Sequence, residues 1–257
     1  MSEITPSPEL VDRMRRAQSV TVVTGAGASA ESGIPTFRGP GGLWREFRAE
    51  DLATAEAFER NPKLVWEWYM WRRGIVARAS PNPGHYALAA LEAASDDFTV
   101  VTQNVDGLHA RAGSQNLVEI HGNIMRSRCH ACGAPAGNAG LDADGQLPMC
   151  DCGGMVRPAV VWFGELLPPG ALQRAGQAAR RADVFLSVGT SSAVFPVAGL
   201  ADIAQQAGAY LVEINPEATE RSDGFDEILR GPSGEILPLI CRALGLNIAP
   251  PCPVTHS

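Results

Sequence analysis

The stretch SVTVVTGAGASAESG, residues 19–33, limits the possible folds more than any other part of the chain. A short apolar, β-branched run ends abruptly in a glycine-rich turn. A continuous apolar run, rather than an alternating one, suits a strand covered on both faces, as in a parallel sheet. Gly25-Ala26-Gly27-Ala28-Ser29-Ala30 fits the loose G-x-G-x-x-G/A pattern of a dinucleotide-binding turn, and it follows a strand as that pattern demands. Glycines let the backbone approach a pyrophosphate, and the helix start behind them offers free N–H groups. No Lys-Ser/Thr pair follows, so this is not a P-loop. Taken alone, the same residues also suit a tight strand-to-helix turn without a ligand.

Further strand-like runs are FTVVTQN, LVEIHG, AVVWFG, VFLSVGTSS and AYLVEIN. Helical patterns HYALAALEAAS, ALQRAGQAARRAD and PVAGLADIAQQAG lie between several of them. Alternation of this kind predicts an α/β fold with a doubly wound, Rossmann-like parallel sheet. Two segments break it. About 36–79 reads as loop and helix without a clear strand, and about 126–155 is rich in Gly, Ala, Pro and Cys. Both are expected to form a second, smaller lobe, helical in the first part and metal-binding in the second. The larger lobe would then hold about 1–35, 80–125 and 156–257, all within one domain of 257 residues. The tail NIAPPCPVTHS is expected to fray.

A net charge of −7 disfavours a nucleic-acid binder, which needs a basic footprint. No apolar run approaches a membrane span, and the N-terminal residues lack a signal-peptide core, so a cytoplasmic location is expected. In a reducing compartment, clustered cysteines are metal ligands before they are disulfides. Cys129-x-x-Cys132 and Cys150-x-Cys152 flank the loop GNAGLDADGQLP, and four thiolates suit a closed, structural, tetrahedral Zn²⁺ site. Cys241 lies on an apolar helical face and belongs in the core.

Of five histidines, His121 ends a strand-like run in LVEIHGN, where a near-neutral pKa suits a general base. His85 and His109 flank helices, where satisfied structural roles are expected. The stretch WEWYMWRR, residues 66–73, sets two arginines behind an aromatic patch, with no acid three or four positions from either. Tyr69 shares a helical face with both Arg72 and Arg73, and periodicity does not choose between them. The plain reading buries Trp66, Tyr69 and Met70 and lets the arginines snorkel to solvent.

The glycine loop continues as ESGIPTFRG, and TQNVDGLH, EIHGN, the cysteine pairs, VWFGE, VGTSS and EINPE follow in order. Together these residues, from about Val20 to Leu239, resemble the sirtuins, the NAD-dependent protein-lysine deacylase family. Within that family the chain is similar to the desuccinylase/demalonylase-type (class III) and bacterial members. The resemblance implies NAD as co-substrate and one structural Zn²⁺, with NAD and acyl-lysine meeting between the lobes. It assigns Gly25, Ala26, Gly27, Ser29, Glu31, Gly33, Ile34, Pro35, Thr36, Phe37, Arg38 and Trp44 to the cofactor-binding loop region. Gln103, Asn104, Val105 and Asp106 would line the nicotinamide–ribose end. Gly189, Thr190, Ser191, Asn215, Pro216, Glu217 and Ser233 would hold the adenosine half. Ser233 also suits a helix N-cap, and both roles are compatible. A standard dinucleotide fold carries an acid about 20 residues past the glycines. Here no strand carries Glu46, Glu50 or Asp51, so LVEINPE is a candidate for the ribose contact, and VGTSS offers a second small-residue turn at Gly189 to Ser191.

Catalysis is implied at His121, with Asn104 and Asp106 positioning nicotinamide and ribose. The amide oxygen of the acyl-lysine attacks C1′ as nicotinamide leaves. His121 then activates the ribose hydroxyls, and the products are free lysine and 2′-O-acyl-ADP-ribose. Substrate contacts are implied at Val161, Phe163, Gly164 and Glu165, and at Ala53, Tyr69 and Arg72. Tyr69-x-x-Arg72 matches the pattern of members that remove acidic acyl groups, and Ala53 leaves a roomier pocket. The expected substrates are therefore succinyl- and malonyl-lysine proteins, with glutaryl- and acetyl-lysine as further candidates. The competing functions are an NAD-dependent protein ADP-ribosyltransferase and a non-enzymatic NAD-sensing adaptor.

Overall fold

The structure is a computed structural model that describes residues 4–36, 43–44, 47–142 and 144–248, with the backbone alone for Leu43, Trp44, Phe47, Ala49 and Glu50. The expectations for Phe37, Arg38, Glu46 and the tail beyond Ile248 lie outside the described residues. Along the chain come α1 (Pro8–Arg16), β1 (Ser19–Thr24), the short hairpin β2 (Leu43–Trp44) and β3 (Phe47–Arg48), α2 (Ala49–Leu52), α3 (Ala55–Arg60), α4 (Pro62–Arg78) and α5 (Pro83–Ala93). Then follow β4 (Asp97–Thr102), α6 (Leu108–Ala112), β5 (Leu117–Glu119), β6 (Gly122–Cys129), β7 (Val156–Val160), α7 (Ala171–Arg181) and β8 (Val184–Val188). Last are α8 (Leu200–Gln206), β9 (Tyr210–Ile214), β10 (Glu227–Leu229) and α9 (Ser233–Leu244).

Six strands form one parallel sheet in the order β10-β9-β8-β1-β4-β5. Their apolar residues split by parity. Val20, Val22, Val100 and Leu186 pack with α1, α5 and α9, while Val23, Val101 and Phe185 pack with α7 and α8. Burial on both faces is why these strands are continuous in apolarity. The chain leaves β1 toward β4 and β5 on one side and returns through β8, β9 and β10 on the other. The topological switch point thus lies between β1 and β8, and ligands of open α/β sheets bind outside the carboxyl ends of the strands there.

AVVWFG departs from expectation. Of that run only Ala159 and Val160 are in a strand, and their strand, Val156–Val160, pairs antiparallel with Gly122–Cys129 in a separate two-stranded sheet, not in the parallel one. Its apolar residues instead enter a third core with Leu52, Phe58, Trp66, Trp68, Tyr69, Ile124 and Trp162. Burial alone cannot distinguish a strand inside a sheet from one lining a helical insert. Trp66 ties α4 to β7 by donating its indole N–H to the Val156 carbonyl at 2.9 Å.

Candidate functional site

At the switch point two glycine turns touch. The Gly25 N–H donates to the Val188 carbonyl at 3.1 Å, and the Gly27 N–H to the Gly189 carbonyl at 2.8 Å. A Cβ on Gly27 would lie 2.8 Å from Gly189 Cα, and one on Gly189, whose φ is +57°, would lie 2.4 Å from the Ala28 nitrogen. No side chain fits between them, so the glycines let β1 and β8 end against one another. Residues Ala26–Ser32 continue as a 3-10 helix. The other candidate segments converge here. Gln103 Nε2 donates to Thr190 Oγ1 at 2.9 Å, and Asn215 Nδ2 to the Thr190 carbonyl at 3.0 Å. Ile34 is buried, while Pro35, Pro216 and Glu217 are exposed at the rim.

Glu31 and Ser233, 202 residues apart, meet at the start of α9. The Glu31 carboxylate accepts the Gly234 N–H at 2.7 Å, an anion at a helix N-terminus. The N-cap itself is Pro232, so Ser233 stands inside the first turn and is not the capping residue suggested by its type.

Beneath the glycine turn lies a buried polar cluster. Asn104 Nδ2 donates to the Gly25 carbonyl at 2.9 Å and to Ser29 Oγ at 3.0 Å, and Ser29 Oγ donates to Asp106 Oδ2 at 2.8 Å. Asp106 Oδ1 accepts the Leu108 N–H at 2.8 Å. Burial raises the Asp106 pKa, opposed by the Leu108 and Ser29 hydrogen bonds and by Arg72. His85, from α5, reaches Ser29 Oγ with Nε2 at 3.4 Å. Its Nδ1 accepts the Asn82 N–H in a capping box, so the proton sits on Nε2. Ser29 therefore receives two N–H groups and gives its own hydrogen to Asp106. Burial pulls the His85 pKa down to about 4. Nothing in the sequence marks Asn82 and His85 as site residues beyond the Asn-Pro pair that opens a helix.

His121 lies between β5 and β6, two residues past the strand end. Its Nδ1 is 3.1 Å from the Gln103 carbonyl. A carbonyl can only accept, so Nδ1 carries the hydrogen and Nε2 is the basic nitrogen. Burial lowers the pKa of His121, and the Gln103 hydrogen bond partly offsets it. The His121 carbonyl accepts the Val161 N–H at 2.9 Å, and the Ala53 carbonyl accepts the Phe163 N–H at 2.9 Å. Residues 161–163 thereby run from the histidine to the turn before α3. Phe163 is 54% exposed, and Gly164 follows in the left-handed region at φ +83°. Glu165 faces inward: it pairs with Arg157 and accepts the Trp162 N–H at 2.8 Å.

Ala53 is buried beside this segment, and so is Tyr69. The Tyr69 hydroxyl accepts the Trp162 indole N–H at 2.8 Å, which leaves its own hydrogen to donate. Burial raises its pKa to about 12, so it is a neutral phenol. The Arg72 guanidinium stands 5.1 Å from the Trp68 ring centre, and Tyr69 and Asp106 act on it electrostatically. Arg73 is different. It is 7% exposed, and it donates to the carbonyls of Ile124 (2.7 Å), Ala139 (2.8 Å) and Arg126 (3.0 Å) and to Ser127 Oγ (2.9 Å). The plain reading of this patch thus fails twice. Arg73 does not snorkel, because backbone carbonyls of the metal-binding segment surround it, and Met70 is exposed rather than core. Two arginines one residue apart have separate surroundings, a distinction that periodicity does not supply.

Glu213, the acid within the strand of LVEINPE, has a bonding role that the run itself does not mark. It is buried, yet it accepts from Thr219 Oγ1, Ser222 Oγ and Arg230 Nη1, each at 2.6 Å. These bonds shape the connection from β9 to β10 that carries Asn215, Pro216 and Glu217.

The sulfur atoms of Cys129, Cys132, Cys150 and Cys152 all lie within 4.8 Å of one another. Cys129 and Cys152 are 3.5 Å apart and Cys132 and Cys150 3.8 Å. Sulfurs about 2.3 Å from a tetrahedral zinc stand about 3.8 Å apart, so the four residues fit a structural Zn²⁺. A Cβ on Gly154 would come within 2.9 Å of Cys129 Sγ, so glycine is needed where the second knuckle closes. Metal analysis of the purified chain is expected to find one zinc per molecule. Stripping it with a thiol-directed mercurial and chelator should lower the unfolding temperature, because binding energy is folding energy in such modules. Full thermal stability in metal-free protein would remove the zinc assignment.

Among the described residues, no helix is long and apolar enough to cross a membrane. Residues 25–196 match the model of the Sir2 family. A curated relative from Leptospira interrogans, named NAD-dependent protein deacylase, is 51% identical over 229 residues, covering 88% of this chain and 93% of the relative. A solved structure of a Sir2 homologue mutant with 2′-O-acetyl ADP ribose has a TM-score of 0.88 and 42% identity, covering 95% of this chain and 100% of the other. Another, Sir2 with a p53 peptide and NAD+, has a TM-score of 0.84 and 31% identity, covering 93% and 98%.

Proposed function

The chain belongs to the Sir2 family, and on that footing we propose that it is an NAD-dependent protein-lysine deacylase. The observation that carries the reading is the orientation of His121. Its Nδ1 is tied to Gln103, the residue that also holds Thr190 beside the glycine turns, so a basic Nε2 stands next to the cofactor-binding switch point. NAD is the second substrate and supplies an electrophilic ribose carbon once its nicotinamide leaves. The chain's residues do the rest. Gly25 to Ser29, Gly189 to Ser191 and the Asn215–Glu217 turn bind the dinucleotide. Asn104 and Asp106 orient its nicotinamide–ribose end. His121 takes a proton from a ribose hydroxyl, so that oxygen can accept the acyl group. Fixed dipoles in a partly closed cleft suit a cationic transition state and keep water from NAD. Phe163 and Gly164, the exposed residues of this segment, would meet an extended peptide carrying the acyl-lysine.

The same proposal includes the two lobes, with about 36–79 and 126–155 forming the smaller one, and a cytoplasmic setting, where a four-thiolate zinc site survives as a metal site. Purified protein should be given acetyl, malonyl, succinyl and glutaryl versions of one peptide, with and without NAD. Free lysine and 2′-O-acyl-ADP-ribose are expected only with NAD. ADP-ribose attached to protein, with the acyl group intact, would replace the deacylase by a transferase.

Acidic acyl groups are the preferred substrates in this reading. The Tyr69 hydrogen and the Arg72 guanidinium offer a terminal carboxylate one neutral and one charged donor beside the buried Ala53. Bonds to a charged group contribute about 1.5–3 kcal/mol, or roughly one to two orders of magnitude in preference over acetyl. Arg72→Met is expected to lose that factor in desuccinylation while deacetylation changes little. Equal losses on both substrates would discard the acyl-reading role and leave the enzyme class standing.

A further inference from the structure

Below the Asn104–Ser29–Asp106 cluster the structure closes a ring of side chains. The Asn104 backbone N–H donates to Thr102 Oγ1 at 3.1 Å, and Thr24 Oγ1 donates to Thr102 Oγ1 at 2.8 Å. Thr24 Oγ1 is 2.9 Å from His109 Nε2. The His109 ring packs on the His85 ring, with centroids 4.7 Å apart and planes at 52°. His85 leads to Ser29, and Ser29 leads back to the Asn104 amide. Asn104, at 8%, is the most exposed member, and Thr24 and Thr102 are register partners on β1 and β4. His109 Nδ1 is buried without a hydrogen-bond partner among the described residues.

The tautomer follows from counting hydrogens. Thr24 spends its only hydroxyl hydrogen on Thr102, so it accepts from His109, whose proton is therefore on Nε2. That leaves Nδ1 a bare lone pair, a state more often tolerated in interiors than an unpaired N–H. Burial and the neighbouring His85 both disfavour a charge on His109. An apolar side chain of similar size would fill the space, yet it would leave the Thr24–Thr102 pair without its donor and His85 without a flat partner.

We propose that His109 is a positioning residue: a neutral imidazole, protonated on Nε2, that backs His85 and anchors the Thr24–Thr102 pair. It thereby fixes the Asn104 amide and the Ser29 hydroxyl for the nicotinamide–ribose end of NAD. The inference rests on the NAD-dependent reading of the site. His109 touches no substrate itself; it acts through Asn104 and Ser29.

The test uses the full chain, His109→Leu and His109→Gln. Nitrogen-15 histidine NMR of the wild type, which needs no turnover, is expected to show His109 neutral with its hydrogen on Nε2. His109→Leu should lower kcat/KM for NAD by about 10–100-fold, the cost of a misplaced binding group, and leave KM for the acyl peptide unchanged. His109→Gln, whose amide nitrogen can reach the Nε2 position, should recover most of that loss. An Nδ1 tautomer or an imidazolium in the wild type overturns the proposal. So does glutamine performing no better than leucine, or an equal loss on both substrates. If the leucine variant does not fold, the glutamine variant and the NMR decide. A wild type without turnover would remove the deacylase reading alone, because ADP-ribose affinity by calorimetry still compares the three proteins.

Discussion

His121→Ala is expected to lower deacylation by about 10²–10⁴-fold, the range lost with a general base. The His121 Nδ1 hydrogen is held by the Gln103 carbonyl, and Nε2 is the nitrogen left to take a proton. Alanine removes that base without disturbing Gln103, whose amide still holds Thr190. Binding of NAD should therefore persist. Exchange of labelled nicotinamide into NAD should persist as well, because in the proposed reaction nicotinamide leaves before the histidine acts. The wild-type pH profile follows from the depressed pKa of His121. The proposed general base is the neutral imidazole, which is lost as pH falls through that pKa. Burial lowers it, so the acid limb should lie below the ordinary histidine range near about 6.5. Undiminished acyl-peptide turnover in His121→Ala would end the assignment.

Arg73→Met is expected to destabilise the fold by about 3 kcal/mol, read as a shift in the denaturant midpoint. The guanidinium holds the carbonyls of Ile124, Arg126 and Ala139 and the Ser127 hydroxyl, without a carboxylate among these partners. Methionine fills much of the volume but leaves the buried Ile124 carbonyl and the partly buried acceptors around it without their donor. Burial lowers the Arg73 pKa to about 10, still high enough for the charge to be kept at neutral pH. Lysine should restore only part of the loss, since a point charge cannot span a planar fork of acceptors. Ala139 lies between the two cysteine pairs, so the same variant should hold zinc less firmly. Arg72→Met, one residue away, should leave the midpoint nearly unchanged. Similar midpoints for Arg73→Met and wild type would show that the clamp adds nothing.

Much of the frame is legible in the order of residues. The β-branched runs at Val20–Val23, Val100–Val101 and Val184–Val188 are continuous because both sheet faces are covered. The same feature misleads at AVVWFG, residues 159–164, whose Val160 and Trp162 are buried for a different reason, against the helices around Trp66. The cysteine spacings announce a metal cluster, since knuckle geometry is local. Gly25, Gly27 and Gly189 announce tight turns, but that Gly27 and Gly189 require each other depends on strand order.

Residues that act through distant partners carry no such mark. Asn82, His85 and His109 look like helix ends, and only packing joins them to Ser29 and Asn104. Glu213 lies in an apolar strand, and its partners Thr219 and Ser222 come from the connection to β10 and Arg230 from just beyond that strand. Nothing in the pair Arg72-Arg73 distinguishes them, because a 100° step around a helix is meaningless until the surrounding walls exist.

Short windows of residues were enough for the parallel α/β sheet, the glycine turn, the four-thiolate cluster and the family, because periodicity, spacing and turn chemistry act locally. Packing was needed to tell which arginine is buried among carbonyls, which histidine nitrogen is basic and which hydroxyls close the ring under Asn104. Those depend on the direction of donors and acceptors brought together from far along the chain, and direction exists only once the chain has folded.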